Sequence, residues 1–187
     1  MDIFAHALWT SIAAKAINTQ NPRLLQRRLK IGQAAWWGVL PDLFAFTPIF
    51  VWMFWQRLSG QGNIPFIRPG VVLPPQAQGQ IELAHSLYNY SHSGIIFLAV
   101  FILFWVIRKR PYWELSGWLL HILIDIPTHR SEFFPTPVFW PISDFHFAHG
   151  ISWAEPWFMS TNYTAIVILF AYFFLARTRD KKTDTGK

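Results

Sequence analysis

The chain has 187 residues, which suits one domain, and it holds no cysteine, so disulfides and thiolate chemistry are excluded. It is 52% apolar and 18% aromatic but only 14% charged, where a soluble domain is roughly 25% charged; that deficit points to a membrane protein. The net charge of +6 falls in short basic clusters beside apolar runs, so the expected partner is the lipid bilayer and not nucleic acid.

The first element covers residues 2–18. It opens on Asp2, and its first basic residue, Lys15, follows the apolar part. A secretory signal has the opposite order, so the segment is expected to be retained, either spanning or lying in the interface. The second, Ile31–Trp55, is long enough to span but is expected to be interrupted at Pro41-Asp42 and Pro48. The third joins "IELAHSLYNYSH" to "SGIIFLAVFILFWVI". The fourth, Tyr112–Ile126, is short and is expected to end at Pro127, which lacks a backbone donor and biases Ile126 away from the helical region. The fifth runs from Trp157 through "YTAIVILFAYFFLA". These elements predict an all-α, multi-pass transmembrane bundle of four to five helices. Residues 1–187 form a single integral membrane domain, with 177–187 expected as a basic, disordered cytoplasmic tail.

Basic residues set the expected orientation. Lys15, Arg23, Arg27, Arg28 and Lys30 precede the second segment. Arg108, Lys109 and Arg110 lie between the third and fourth, and Arg177, Arg179, Lys181, Lys182 and Lys187 follow the fifth. All fall on one side if segments two to five each cross once, and the positive-inside rule makes that side cytoplasmic. Loops 58–80 and 127–156 then face outward.

Ionisable groups inside membrane segments default to functional hypotheses, because a buried charge there is costly. From a rise of about 1.5 Å per residue, Asp42 lies roughly 16 Å and Asp125 about 19 Å from the cytoplasmic start of their segments, and His92 about 16 Å in from the other side. All three fall in the middle third of a bilayer core about 30 Å thick. Spacing agrees with depth. His121 and Asp125 are four apart, as are Asp2 and His6, while Glu82, His85, Asn89 and His92 follow a 3, 4, 3 pattern. Imidazoles with carboxylates suit zinc, or iron and manganese where carboxylates dominate. Taken singly, a histidine on an apolar helix is more often a packed side chain than a ligand, Asp42 after Pro41 can simply cap a helix, Glu82 and Glu132 suit solvated segment ends, and His146 and His149 read as loop residues. Joint placement at one depth and face is what favours a site.

In order along the chain stand His6 in "DIFAHAL", Asp42 in "GVLPDLF", His92 in "YSHSG", and His121 with Asp125 in "LLHILIDIPTH". In this order and spacing they resemble the motifs of the bacterial family described as predicted membrane-bound metal-dependent hydrolases of the inner membrane. The resemblance runs from the N-terminus to about residue 153. It departs after "LPD", where many members carry a second Asp and this chain has Leu43-Phe44-Ala45, and before His92, where the usual "HR" is replaced by His85 seven residues upstream. It implies a bacterial inner-membrane protein that holds one or two divalent metals among His6, Asp42, His92, His121 and Asp125, with His85 and His129 placed to compensate for the departures; zinc is expected before manganese or iron, and the basic clusters put the C-terminus in the cytoplasm.

The function expected is therefore a membrane-embedded metal-dependent hydrolase with a His/Asp site between helices, acting on a lipid-linked phosphoester. Glu82 is a candidate base, and His129, beyond Pro127, is expected to fold over the outer mouth of the site. The competing readings are a non-enzymatic membrane protein that passes protons or metal ions through the same cluster, and a scaffold whose polar interior only fixes helix packing.

Overall fold

The computed structural model describes residues 1–20, 25, 27–60, 65 and 70–176. Arg23 and the basic tail 177–187 lie outside them. The described residues are all-helical, with no strand. The helices are α1 (Ile3–Gln20), α2 (Ile31–Leu58), α3 (Gln78–Ser91), α4 (Gly94–Arg108), α5 (Ser116–Thr128) and α6 (Pro156–Phe170). Short 3₁₀ turns, Pro75–Ala77 and Trp113–Leu115, lead into α3 and α5, and α6 continues as a π-helical turn, Ala171–Ala176.

The central element is α2, which packs on α1, α3 and α5. Its buried positions are Ala34, Gly38, Pro41, Asp42, Ala45, Ile49 and Met53, one stripe at helical spacing. Small residues in that stripe let neighbours approach closely. A Cβ on Gly38 would run into Thr10 of α1, and one on Gly117 of α5 would run into the Ala34 carbonyl. The expected interruption at Pro41 and Pro48 does not occur, because α2 runs unbroken through both. An interior proline costs about 3 kcal/mol, and tertiary packing along the stripe offsets it. Pro127 likewise sits inside the last turn of α5, which ends only after Thr128.

The break that does occur lies between α3 and α4, which are bent by 54°. His92 closes α3, and Ser93 caps α4 by accepting from the N–H groups of Ile95 and Ile96 at 3.1 and 3.2 Å. Its hydroxyl donates to the Trp140 carbonyl, and the Gly94 N–H donates to Val138 at 2.9 Å, so the loop after α5 is pinned to this break. At the opposite end of the helices, Asn18 exchanges two hydrogen bonds with the backbone of Leu29 at 2.9 and 2.7 Å. Glu114, fully buried, accepts from Arg27 and from the Lys30 N–H. These contacts fix the starts of α2 and α5 beside the end of α1.

The polarity of the molecule is inverted. His6, His92, Glu114, His121 and Asp125 are fully buried, while Val51, Phe54, Trp55 and Leu58 of α2, Ile107 of α4 and Val167 of α6 are each more than half exposed. Apolar surface this extensive marks contact with lipid or with another protein. Two helical runs, Ile31–Leu58 and Pro156–Leu175, are long and apolar enough to cross a membrane, and the bent α3–α4 pair makes a third candidate. By length α5, with 13 residues, is about 20 Å long, shorter than a bilayer core of about 30 Å.

Candidate metal centre

Two helices and one helix break deliver the four residues at the centre. Asp42 comes from the inward stripe of α2, His121 and Asp125 from that of α5, and His92 from the α3–α4 break. All four are buried, and one ligand atom from each lies within 4.8 Å of all the others. His92 Nε2 is 2.9 Å from His121 Nε2. Asp125 Oδ2 is 3.2 Å from His121 Nε2 and 3.4 Å from His92 Nε2. Asp42 Oδ1 is 3.5 and 3.7 Å from the His92 and His121 Nε2 atoms.

Each imidazole is fixed at its far nitrogen and on one face. His121 Nδ1 sits 2.7 Å from the Gly38 carbonyl, which can only accept, so Nδ1 carries the proton and Nε2 the lone pair. His92 Nδ1 sits 2.9 Å from the Ser91 hydroxyl, whose own proton points to the Tyr88 carbonyl at 3.4 Å; the same tautomer follows. The His121 ring stacks on His6 at 3.7 Å and the His92 ring on Tyr88 at 3.6 Å. Two lone pairs therefore face each other across 2.9 Å beside two carboxylates, one of which, Asp125 Oδ2, is buried without a hydrogen bond. A divalent cation satisfies all four groups and cancels both negative charges. With metal–nitrogen bonds of about 2.0–2.1 Å, the edges of a four-ligand tetrahedron are about 3.3–3.4 Å, and the observed separations bracket that length. The residues fit the group, and two nitrogens with two oxygens leave zinc, manganese and iron all open.

The remaining expected site residues divide. His6 is fully buried with its Nε2 3.0 Å from Asp125 Oδ1, and His129 Nδ1 is 3.5 Å from the same oxygen. The Met1 amine also pairs with it. Asp125 thus turns one oxygen to the four-residue group and the other to these three nitrogens. Asp2, the expected companion of His6, instead caps α1, accepting from the Ala5 N–H at 3.0 Å and the Tyr163 hydroxyl at 2.8 Å. His85 and Glu82 are not brought to the centre. His85 stacks on Phe134 at 4.0 Å, and exposed Glu82 accepts from Gln78 at 3.2 Å. The 3, 4, 3 count failed because His92 lies past the last turn of α3; the inward face of that helix is Ala84, Tyr88 and Ser91. His146 and His149 are exposed loop residues.

Sequence reasoning missed the groups that aim the imidazoles. Gly38, Tyr88 and Ser91 touch the ligand rings, and only Ser91, adjacent to His92, was marked by position. Fold and site together define an all-helical protein, with helices fit to cross a membrane, around a buried His/Asp group able to take a divalent cation. No family model, curated protein or solved structure matches the chain.

Proposed function

We propose that the chain is a membrane-embedded metal-dependent hydrolase of the inner-membrane family whose motifs it resembles, and that its substrate is a phosphoester carried by a lipid. The observation that carries this reading is the convergence of Asp42, His92, His121 and Asp125 within 4.8 Å, reached from a surface cavity that touches Asp42 and His129. A packing role for these polar groups would leave them hydrogen-bonded to each other or to the backbone, yet Asp125 Oδ2 is buried without a hydrogen bond. In this reading α1 and α5 also lie within the bilayer, giving five membrane helices around the site.

A bound divalent cation supplies Lewis acidity and lowers the pKa of water toward neutrality. The chain supplies the rest. His129 Nδ1 lies 3.2 Å from the Asp125 carbonyl, which fixes the proton on Nδ1 and leaves Nε2 as a base beside the cavity. Water adds to phosphorus, the ester P–O bond breaks, the proton lost by water passes to His129 Nε2, and the leaving oxygen takes it up. Asp42, the only carboxylate of the centre that lines the cavity, orients the water. Glu82, on the outer flank of α3, takes no part.

Elemental analysis of detergent-purified protein tests the centre. We expect about one divalent ion per chain, lost in His121→Ala and in Asp125→Ala. Folded protein with no metal in the wild type, or unchanged metal in both variants, would end the proposal.

A further inference from the structure

The cavity that reaches Asp42 is not the only one at this place. It has a volume of 230 Å³ and an apolar wall of Ile3, Phe4, Phe46 and Phe50 between the start of α1 and α2. A second cavity of 400 Å³ lies beside it, with a polar wall that includes Arg130, Glu132, Ser152 and Glu155. The two share His129, Phe133 and Trp153. His129 is therefore the partition between an apolar chamber and a polar one, and its nitrogen touches the Asp125 carboxylate that faces the metal-ligand group.

Each chamber has its own chemistry. Asp42, only 4% exposed, and Asp2 are the acidic side chains that line the apolar chamber. Phe4, at the mouth, is 76% exposed, and the α2 surface beyond it continues as Val51, Phe54 and Trp55. That chamber therefore opens on surface suited to lipid. A methylene occupies about the volume of a water, roughly 30 Å³, so 230 Å³ takes about eight methylenes of one chain. The second chamber offers a guanidinium, two carboxylates and hydroxyls beside Phe133, Trp153 and Ala154, which suits a hydroxylated or zwitterionic group. Arg130 and Glu155 pair at 3.7 Å on its wall, both at least one-third exposed.

We propose that the site takes a phosphodiester lipid, with an apolar tail in one chamber and a polar head in the other, and discriminates against phosphomonoesters. This rests on the hydrolase reading for the position of the phosphate, at the His129 partition. A monoester has one substituent on phosphorus and would leave a chamber empty. A diester has two, one for each of the adjoining chambers.

Binding separates this inference from catalysis. Metal-loaded protein in detergent is titrated, by native mass spectrometry, with dioctanoyl phosphatidylethanolamine (a diester with tails), dioctanoyl phosphatidic acid (a monoester with the same tails) and glycerophosphoethanolamine (a diester without tails). We expect the tailed diester to bind best, by about tenfold over either of the others, since each comparison removes one set of contacts. Glu132→Gln, which removes a carboxylate that can meet the ammonium head, should weaken the tailed diester and leave the monoester unchanged, while Phe4→Ser should weaken both tailed lipids. Both residues are exposed, so the variants are expected to fold. Equal binding of diester and monoester, or a Glu132→Gln effect equal on both, overturns the two-chamber site. Retention of the preference with no product from any lipid supports the two-chamber site and sinks the hydrolase reading alone.

Discussion

At the scale of single residues, Asp125 is the hinge of the centre. Its Oδ2 faces His92 and His121, and its Oδ1 faces His6, His129 and the Met1 amine. Groups that hold a ligand without being one typically change affinity or activity 10- to 100-fold when removed. His129 belongs to that set and also lines the cavity. We therefore expect His129→Ala, which removes the proposed base, to retain most of the metal while turnover of the lipid phosphoester falls about 100- to 10,000-fold, and His121→Ala to lose both together. Metal content and turnover measured side by side decide it; complete metal loss in His129→Ala would make His129 a ligand. The i, i+4 pair His121/Asp125 was legible in the sequence because both sit inside one helix, where spacing fixes the face. His92 was legible by its depth and its "YSHSG" motif, while its stripe with Glu82 and His85 failed because it lies past the last turn of α3. Gly38 was invisible: its contribution is a backbone carbonyl, and no side-chain pattern marks it.

At the scale of elements, the centre depends on how closely α5 approaches α2. The contact is made by glycine. A Cβ on Gly117 would meet the backbone oxygen of Ala34, an atom that cannot swing aside, as well as Thr10 of α1. Gly32, in the first turn of α2, has nothing near its missing Cβ. Both are helical glycines, so alanine should improve helix propensity by up to about 1 kcal/mol at either. At Gly117 overpacking opposes this by about 1–3 kcal/mol. Gly117→Ala should therefore lower the melting temperature in detergent and loosen metal binding, through displacement of His121 one turn along. Gly32→Ala should leave metal binding unchanged and hold or raise the melting temperature. Equal effects at the two positions would mean that α2 and α5 do not pack through Gly117. The prolines carried the opposite lesson. A rule for isolated helices predicted breaks at Pro41 and Pro48, but within a packed stripe the lost donors did not break α2.

At the scale of the whole molecule, the apolar segments and the helical class were legible from composition, because a surface this rich in exposed Phe, Trp, Val and Leu requires nonpolar surroundings. The number of crossings was less legible, because α5 is short and the α3–α4 run is bent. Orientation matters most for function, since it decides from which leaflet the site is reached. Both chambers are lined from the loop that follows α5, by residues 128–133 and 152–155. Arg108, Lys109 and Arg110 lie at the other end of α5, beyond Trp113–Leu115. The positive-inside rule predicts that this basic turn is cytoplasmic, and on that expectation the chambers open toward the outer leaflet. The absence of cysteine makes the test clean. A single cysteine at exposed Lys109 should resist a membrane-impermeant maleimide in intact cells and react once the membrane is opened. One at exposed Ser143, in the loop after α5, should react in intact cells. The reverse pattern would turn the chambers to the cytoplasmic leaflet. Reaction of both in intact cells would mean that α5 and the loop after it do not separate the two faces of a membrane, and the lipid-facing reading of the apolar mouth at Phe4 would fall with it.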